Sequence, residues 1–216
     1  MALLEQAERP VLSIPPHAEK FIRLQRTHYP AGEALAKHFS RDIWDEYETI
    51  RGHLPASAGA VLDIGCGVGG IDAPLFEHFG RDAATRFYML DKTDLTPKVY
   101  YGFQQHAAYY NSLEITREFL EANGVPASNI HLMEATADNR IDLSEPVDIA
   151  ISLLSWGYHY PVDTYLSRVH ELLSPGGKLI LDVREKTDGE EKLRAVFGNA
   201  TRIWEGNSAW RVIAVK

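Results

Sequence analysis

Cysteine is nearly missing: Cys66 is the only one in 216 residues, so neither an intramolecular disulfide nor a cysteine metal cluster can form. No apolar run approaches the roughly 18 residues that a membrane-crossing helix needs, and the first twenty residues lack the apolar stretch of a secretory leader. A cytoplasmic chain without a membrane partner is the corresponding expectation. Positive charge is also scarce, since 22 Lys and Arg against 30 Asp and Glu leave a formal net charge of −8. A sequence-independent grip on nucleic acid needs a basic surface to displace counterions, so this balance argues against a nucleic-acid partner while leaving room for local basic patches. Internal repeats, low-complexity stretches and interdomain linkers do not occur. What is present is the composition of a globule, 45% apolar and 24% charged, in a chain long enough for one domain with a sizeable core.

The most informative stretch is Val61-Leu62-Asp63-Ile64-Gly65-Cys66-Gly67-Val68-Gly69-Gly70. An apolar run with one acid breaks into a cluster of glycines and reads as a buried strand, a tight turn and a helix start. Glycines at that density let the backbone take positive φ and let a ligand reach main-chain groups with no Cβ in the way. Two fingerprints fit at once. Gly65, Gly67 and Gly70 satisfy the G-x-G-x-x-G of dinucleotide binders, while Gly65, Gly67 and Gly69 satisfy the G-x-G-x-G of S-adenosylmethionine (SAM) enzymes. The turn alone leaves both open.

Around it the chain alternates strands and helices. Residues 1–16, with Pro10, Pro15 and Pro16, read as a loose arm. Helical spacing follows over 17–28, and then a long amphipathic helix with Leu35, Phe39, Ile43, Tyr47, Ile50 and Leu54 on one stripe. Strands are expected at 61–64, 85–90, 130–133, 147–154 and 178–183, and helices at 71–79, within the aromatic stretch 92–124 that Asn123-Gly124 closes, and at 162–173 and 190–197. The stretch 155–161 reads as the loop after the fourth strand. Two last strands, 200–205 and 209–215, are joined by Gly206-Asn207-Ser208, a hairpin signal. The fold class is therefore α/β: a doubly wound, mainly parallel seven-stranded sheet with an antiparallel C-terminal hairpin strand, helices on both faces and an N-terminal helical extension. Residues 1–58 form that extension, with its stripe as core packing or as a substrate lid, and residues 59–216 form the nucleotide-binding domain, the two making a single structural unit.

Three features separate the fingerprints. Asp63 stands inside the first strand, where a buried acid is costly unless it has work, such as bonding the turn's amides or, through water, a ligand amino group. Some sixty residues precede that strand, and the sheet closes with a hairpin. Asp91, at the tip of the second strand about 20 residues beyond the glycines, can accept both hydroxyls of an adenosine ribose. With the run from strand four into SWGYHYP and LLSPGGKLILDV around strand five, the chain resembles the class I SAM-dependent methyltransferases from Val61 to its C-terminus.

The resemblance implies SAM as cofactor, S-adenosylhomocysteine as product, and a methyltransferase of the small-molecule type. Gly65, Cys66, Gly67 and Gly69 are then expected against the methionine and ribose, and Asp91 on the ribose hydroxyls with Lys92 beside the adenine. Leu153 and Leu154 pass under the amino-acid end. Thr136-Ala137 stands where the family commonly has Asp-Ala, which leaves a backbone bond at Ala137 and no side-chain bond to the adenine amino group. Cys66 reads as a small packing residue rather than a nucleophile.

The acceptor is weighed from the least generic parts. The Asn/Asp-Pro-Pro-Tyr/Phe run of amino methyltransferases is absent after strand four, which with the acidic charge counts against DNA and RNA. No carboxylate occurs between Asp148 and Asp163 to hold magnesium, so no metal is expected. Aromatic residues with histidines suit a small acceptor methylated at oxygen. Tyr29, His28, Tyr110, Trp156 and Tyr158 are the candidate acceptor contacts, and His159 is the candidate general base, with His106 and His28 in reserve. Two alternatives stay open: an NAD(P)-dependent oxidoreductase, and a SAM-binding module without catalysis.

Overall fold

The computed structural model describes residues 9–25, 29–95, 111–206 and 208–216. Along the chain come α1 (Pro16–Gln25), α2 (Glu33–Arg51), β1 (Ala60–Ile64), α3 (Asp72–His78), β2 (Arg86–Asp91), α4 (Leu113–Ala122), β3 (Ile130–Glu134) and β4 (Val147–Ser152). They are followed by β5 (Ser155–Tyr160), α5 (Leu166–Leu172), β6 (Leu173–Arg184), α6 (Gly189–Phe197), β7 (Thr201–Glu205) and β8 (Ala209–Val215). All strands but β5 join one sheet in the order β3-β2-β1-β4-β6-β8-β7. The pairs from β3 through β6 are parallel, and β8 runs antiparallel to both β6 and β7. The expected α/β sheet of seven strands with its reversed C-terminal strand is therefore the observed one. A tight turn can join only antiparallel neighbours, which is why the Gly206 region places β8 against β7.

Successive residues of the central strands feed opposite faces. Val61, Phe87 and Ile149 enter one core with the apolar residues of α1, α2, α3 and α4. Leu62, Tyr88 and Ala150 enter the other with those of α5 and α6. Helices thus cover both faces, and strands buried on both sides need the near-continuous apolar runs that the sequence carries. The stripe of α2 is buried as the spacing predicts, through Leu35, Phe39, Ile43, Tyr47 and Ile50, and Trp44 joins it. Full burial of one such side chain contributes about 1.5–3 kcal/mol. Lifting α2 off the sheet would cost several times that, so it is a fixed wall in this fold.

Four local expectations are corrected. Residues 9–15 are not a loose arm: the Leu12 N–H donates to Ser40 Oγ at 2.7 Å, the Trp44 indole donates to the Pro10 carbonyl at 2.9 Å, and Ser13 exchanges bonds with Asn123. β4 stops at Ser152 because Leu154 takes a φ of 54°, outside the strand region. The loop expected after it is extended as β5. The helix expected at 162–173 is a 3₁₀ turn, Val162–Thr164, followed by α5. Leu173 already belongs to β6, whose early part is tied to the C-terminus by Gly176 N–H to Lys216 O at 2.9 Å and Lys216 N–H to Gly177 O at 3.0 Å.

Candidate functional site

Strand order reverses direction between β1 and β4, and in an open α/β sheet the crevice at the carboxyl ends of such a pair is where ligands bind. The glycine turn follows β1 and the Leu153-Leu154-Ser155 turn follows β4, so both lie at this crevice. Gly65, Gly67 and Gly69 have φ of 75°, 56° and 80°, a backbone that side chains with a Cβ rarely adopt. A Cβ on Gly65 would lie 1.8 Å from Ser155 Oγ, so the turns after β1 and β4 touch because position 65 is bare. Gly70 serves another purpose: a Cβ there would meet Ile43 Cδ1 at 2.7 Å and Phe39 Cζ at 3.2 Å. The third left-handed glycine is thus Gly69, and Gly70 makes room for α2.

Asp91 closes the site opposite the turn. Its Oδ2 accepts the Gly67 N–H at 2.7 Å and Asn111 Nδ2 at 3.0 Å, and its Oδ1 accepts the Lys92 N–H at 2.7 Å. Burial pushes the Asp91 carboxyl up to about 6, against the pull of these hydrogen bonds. The Gly67 carbonyl accepts from Asn111 Nδ2 at 3.0 Å and Thr116 Oγ1 at 2.6 Å, so the central glycine of the turn is held through both of its backbone polar groups. Asn111 and Thr116 were not singled out from sequence. Their only local signal is a polar pair just before and within the first turns of an otherwise apolar α4 face.

Asp63 does not bond the turn's amides, because those are engaged elsewhere: Gly65 and Cys66 donate to Leu90 O and Gly67 to Asp91. Its carboxyl instead faces that of Asp72 on α3, and a hydrogen bond between the two buried acids raises Asp63 and holds Asp72 down; no other described residue bonds the Asp72 oxygens. Burial pushes both acids up, Asp63 well above the usual carboxylate range and Asp72 to about 7, with the Asp72 charge further raising Asp63. The Cys66 thiol, buried among Asp91, Asp63 and Asp72, is also pushed well up, which suits a packing residue.

The exit of β4 rests on a buried ion pair. Arg211 of β8 grips Asp182 of β6 through Nε to Oδ1 at 2.7 Å and an Nη2 to Oδ2 bond at 2.8 Å. The same guanidinium donates to Glu46 Oε1 of α2 at 2.9 Å and to Thr49. Asp182 Oδ2 also takes the N–H of Leu154 at 3.0 Å, which helps hold the left-handed turn there. One acid in the apolar LILDV run and one base in AWRVIAV were the available signal, since a lone charge in each of two neighbouring buried strands calls for a partner. Leu153 packs on the core, and Leu154 is 39% exposed.

The remaining expectations divide. Trp156, expected among the acceptor contacts, has no exposed surface; its indole donates to Val162 O at 2.9 Å and its ring packs on Tyr165. The alternation of an extended segment turns it inward. Tyr158 is anchored by Arg184, whose Nε donates to its carbonyl at 2.7 Å, and its hydroxyl pairs with Ser208 Oγ at 2.8 Å. His159 is buried beside the Tyr158 ring, and the course of β5 carries it on the order of 10 Å along the chain from Ser155. Tyr29 is buried with its hydroxyl on Asp42. Lys92, Thr136 and Ala137 are exposed around the ends of β2 and β3, and Thr136 Oγ1 accepts the Arg140 N–H at 3.2 Å. His28, His106 and Tyr110 lie outside the described residues. Among the described residues no helix is long and apolar enough to cross a membrane.

The chain shares its fold with solved methyltransferase structures. The 16S rRNA N2 G1207 methyltransferase RsmC of T. Thermophilus, solved with AdoMet and guanosine, superposes with a TM-score of 0.55 at 16% identity over 81% of this chain, which spans 42% of that protein's length. The mitomycin 7-O-methyltransferase MmcR gives 0.55 at 15% identity, over 91% of this chain and 60% of that one. The precorrin-6y C5,15-methyltransferase from Geobacter metallireducens GS-15 gives 0.55 at 14% identity, over 97% of this chain and 100% of that one. No protein-family model and no curated protein sequence matches the chain.

Proposed function

We propose that this chain is a SAM-dependent methyltransferase that transfers a methyl group to an oxygen of a small-molecule acceptor and releases S-adenosylhomocysteine. The observation that carries the reading is the turn at the switch point, in which Gly65, Gly67 and Gly69 have positive φ and the central peptide is bonded to Asp91. The residues fit the cofactor. The turn takes a left-handed backbone at three glycines at the carboxyl end of β1, Asp91 is a half-buried acid at the end of β2, and Leu154, just beyond β4, is partly exposed.

When bound, SAM supplies an electrophilic methyl on a sulfonium, so the chain's tasks are alignment and exclusion of water. In this reading Asp63, Gly65, Cys66, Gly67 and Gly69 surround the methionine and ribose, and Asp91 binds the ribose. Lys92, Thr136 and the Ala137 backbone border the adenine, and Leu153 and Leu154 lie under the amino-acid end. His159 takes the acceptor's proton, with His106 as its alternate, and His28, Tyr29, Tyr110 and Tyr158 form the acceptor side, backed by Trp156 from the core. The helical segment 1–58 covers that side as a wall built on α2. RsmC carries an rRNA substrate in its name, but a net charge of −8 favours a small acceptor for this chain.

Mass spectrometry of the protein as purified, together with calorimetric titration with SAM, tests the proposal. Binding of SAM that is lost in Gly67→Val is the expected result. Displacement of tritiated SAM by NAD would return the chain to the dinucleotide binders, and binding without turnover on any acceptor would make it a non-catalytic module.

A further inference from the structure

A carboxylate has about four lone-pair positions. Three of those on Asp91 are occupied, by the N–H groups of Lys92 and Gly67 and by Asn111 Nδ2. Two neighbouring ribose hydroxyls need two acceptors, and Asp91 has one position left. Beside it stands Asn111, fully buried, with an Oδ1 that has no hydrogen-bond partner among the described residues. The orientation of this amide is decided by chemistry: Gly67 O and Asp91 Oδ2 both accept, so the NH₂ group must face them and the oxygen must be the unpaired atom. Its backbone is pinned as well, because Asp94 and Asn111 exchange N–H···O bonds of 3.1 Å just beyond β2. An unpaired buried acceptor is costly, and a hydroxyl donor delivered next to Asp91 would satisfy it.

We propose that Asn111 is the second half of a ribose clamp, in which Asp91 accepts one hydroxyl of the adenosine ribose and Asn111 Oδ1 accepts the other. This rests on the site being one for SAM. It also assigns Asn111 a double role, since the same side chain that receives the ligand braces the Gly67 peptide through its NH₂ group.

The test is calorimetric binding of S-adenosylhomocysteine and of its 2′-deoxy and 3′-deoxy analogues to the parent, Asn111→Ala and Asp91→Ala. Each missing hydroxyl is expected to weaken binding to the parent by about three- to tenfold, the scale of one hydrogen bond. In Asn111→Ala one of the two penalties disappears and the other persists; in Asp91→Ala the complementary one disappears. Comparing ligands within each variant cancels any uniform loss from a disturbed turn, and Asn111→Ser carries the same comparison should the alanine variant not fold. Both penalties persisting in the Asn111 variant would make it a brace for Gly67 only, and both vanishing would make it a support for Asp91; either result overturns the clamp. Failure of S-adenosylhomocysteine to bind the parent at all would instead overturn the reading of the site.

Discussion

The Gly67 N–H lies 2.7 Å from Asp91 Oδ2, so the turn after β1 and the acid ending β2 are tied by one charge-assisted hydrogen bond. Burial lifts that acid to about 6. If the ionised carboxylate is the ribose acceptor, SAM affinity falls as pH drops through about 6 and is about tenfold weaker at pH 5 than at pH 7. Asp91→Asn binds more weakly and loses this dependence, and Asp91→Ala loses about 1.5–3 kcal/mol of binding, the scale of one hydrogen bond to a charged group. Calorimetry across that pH range decides it; unchanged affinity in the alanine variant would leave Asp91 as a brace alone.

Gly65→Ala combines two penalties. A left-handed backbone costs about 1–2 kcal/mol for an L-residue, and overpacking against Ser155 about 1–3 kcal/mol more. Adding Ser155→Gly should restore the second part and leave the first. Urea unfolding of the single and double variants measures both, and a double variant no more stable than the single would show that Ser155 is not what excludes a side chain.

Asp72 sets a pH dependence of stability. The folded chain holds its proton up to about 7, against 3.8 as the ordinary value. The folded state therefore binds more protons between these values, and the stabilisation present below about pH 4 is lost as pH rises to about 7. Asp72→Asn stays neutral throughout, so it should match the parent near pH 4 and exceed it by about 1–3 kcal/mol at pH 8. Thermal unfolding at the two pH values checks the sign, and a variant less stable than the parent at pH 8 would show that the charge is compensated.

Arg211→Met strands Asp182 as a buried charge and should cost about 3–5 kcal/mol. Arg211→Met with Asp182→Asn should recover much of that loss, because no unpaired charge remains. Denaturant titration of the two variants is sufficient, and equal losses would mean that the guanidinium acts mainly through Glu46 and Thr49 of α2.

His159→Ala is expected to bind SAM normally and to lose about a hundredfold in turnover, along with one limb of the pH profile, if it is the base. Retention of rate and limb would make it a packing residue of β5.

What could be read along the chain was whatever depends on near neighbours. The run Val61–Ile64, the alternation that sends Val61 and Leu62 to opposite cores, the α2 stripe and the hairpin around Gly206 follow from side-chain period and turn chemistry. These act within a few residues, and they were enough to determine the sheet and the place of its glycine turn. The site required more. SWGYHYP read as a loop because its glycine and aromatic residues carry no clear period, yet packing beside β6 extends it and takes Trp156 into the core.

The sequence by itself determined the α/β class, the seven strands with their reversed end, and a turn whose glycines fit two nucleotide fingerprints. Only the tertiary structure decided which glycine does what, since Gly70 is bare for Ile43 and Phe39, and Gly69 both for its φ and for Leu120 and Thr116 of α4. It also decided that Asp63 meets Asp72, that Asp182 meets Arg211, and that Asn111, 44 residues beyond Gly67, holds that glycine's carbonyl. The physical reason is the same in each case: a charge or amide in an apolar run announces that it needs a partner, but the partner is chosen by how strands and helices pack across the sheet, which no local periodicity encodes.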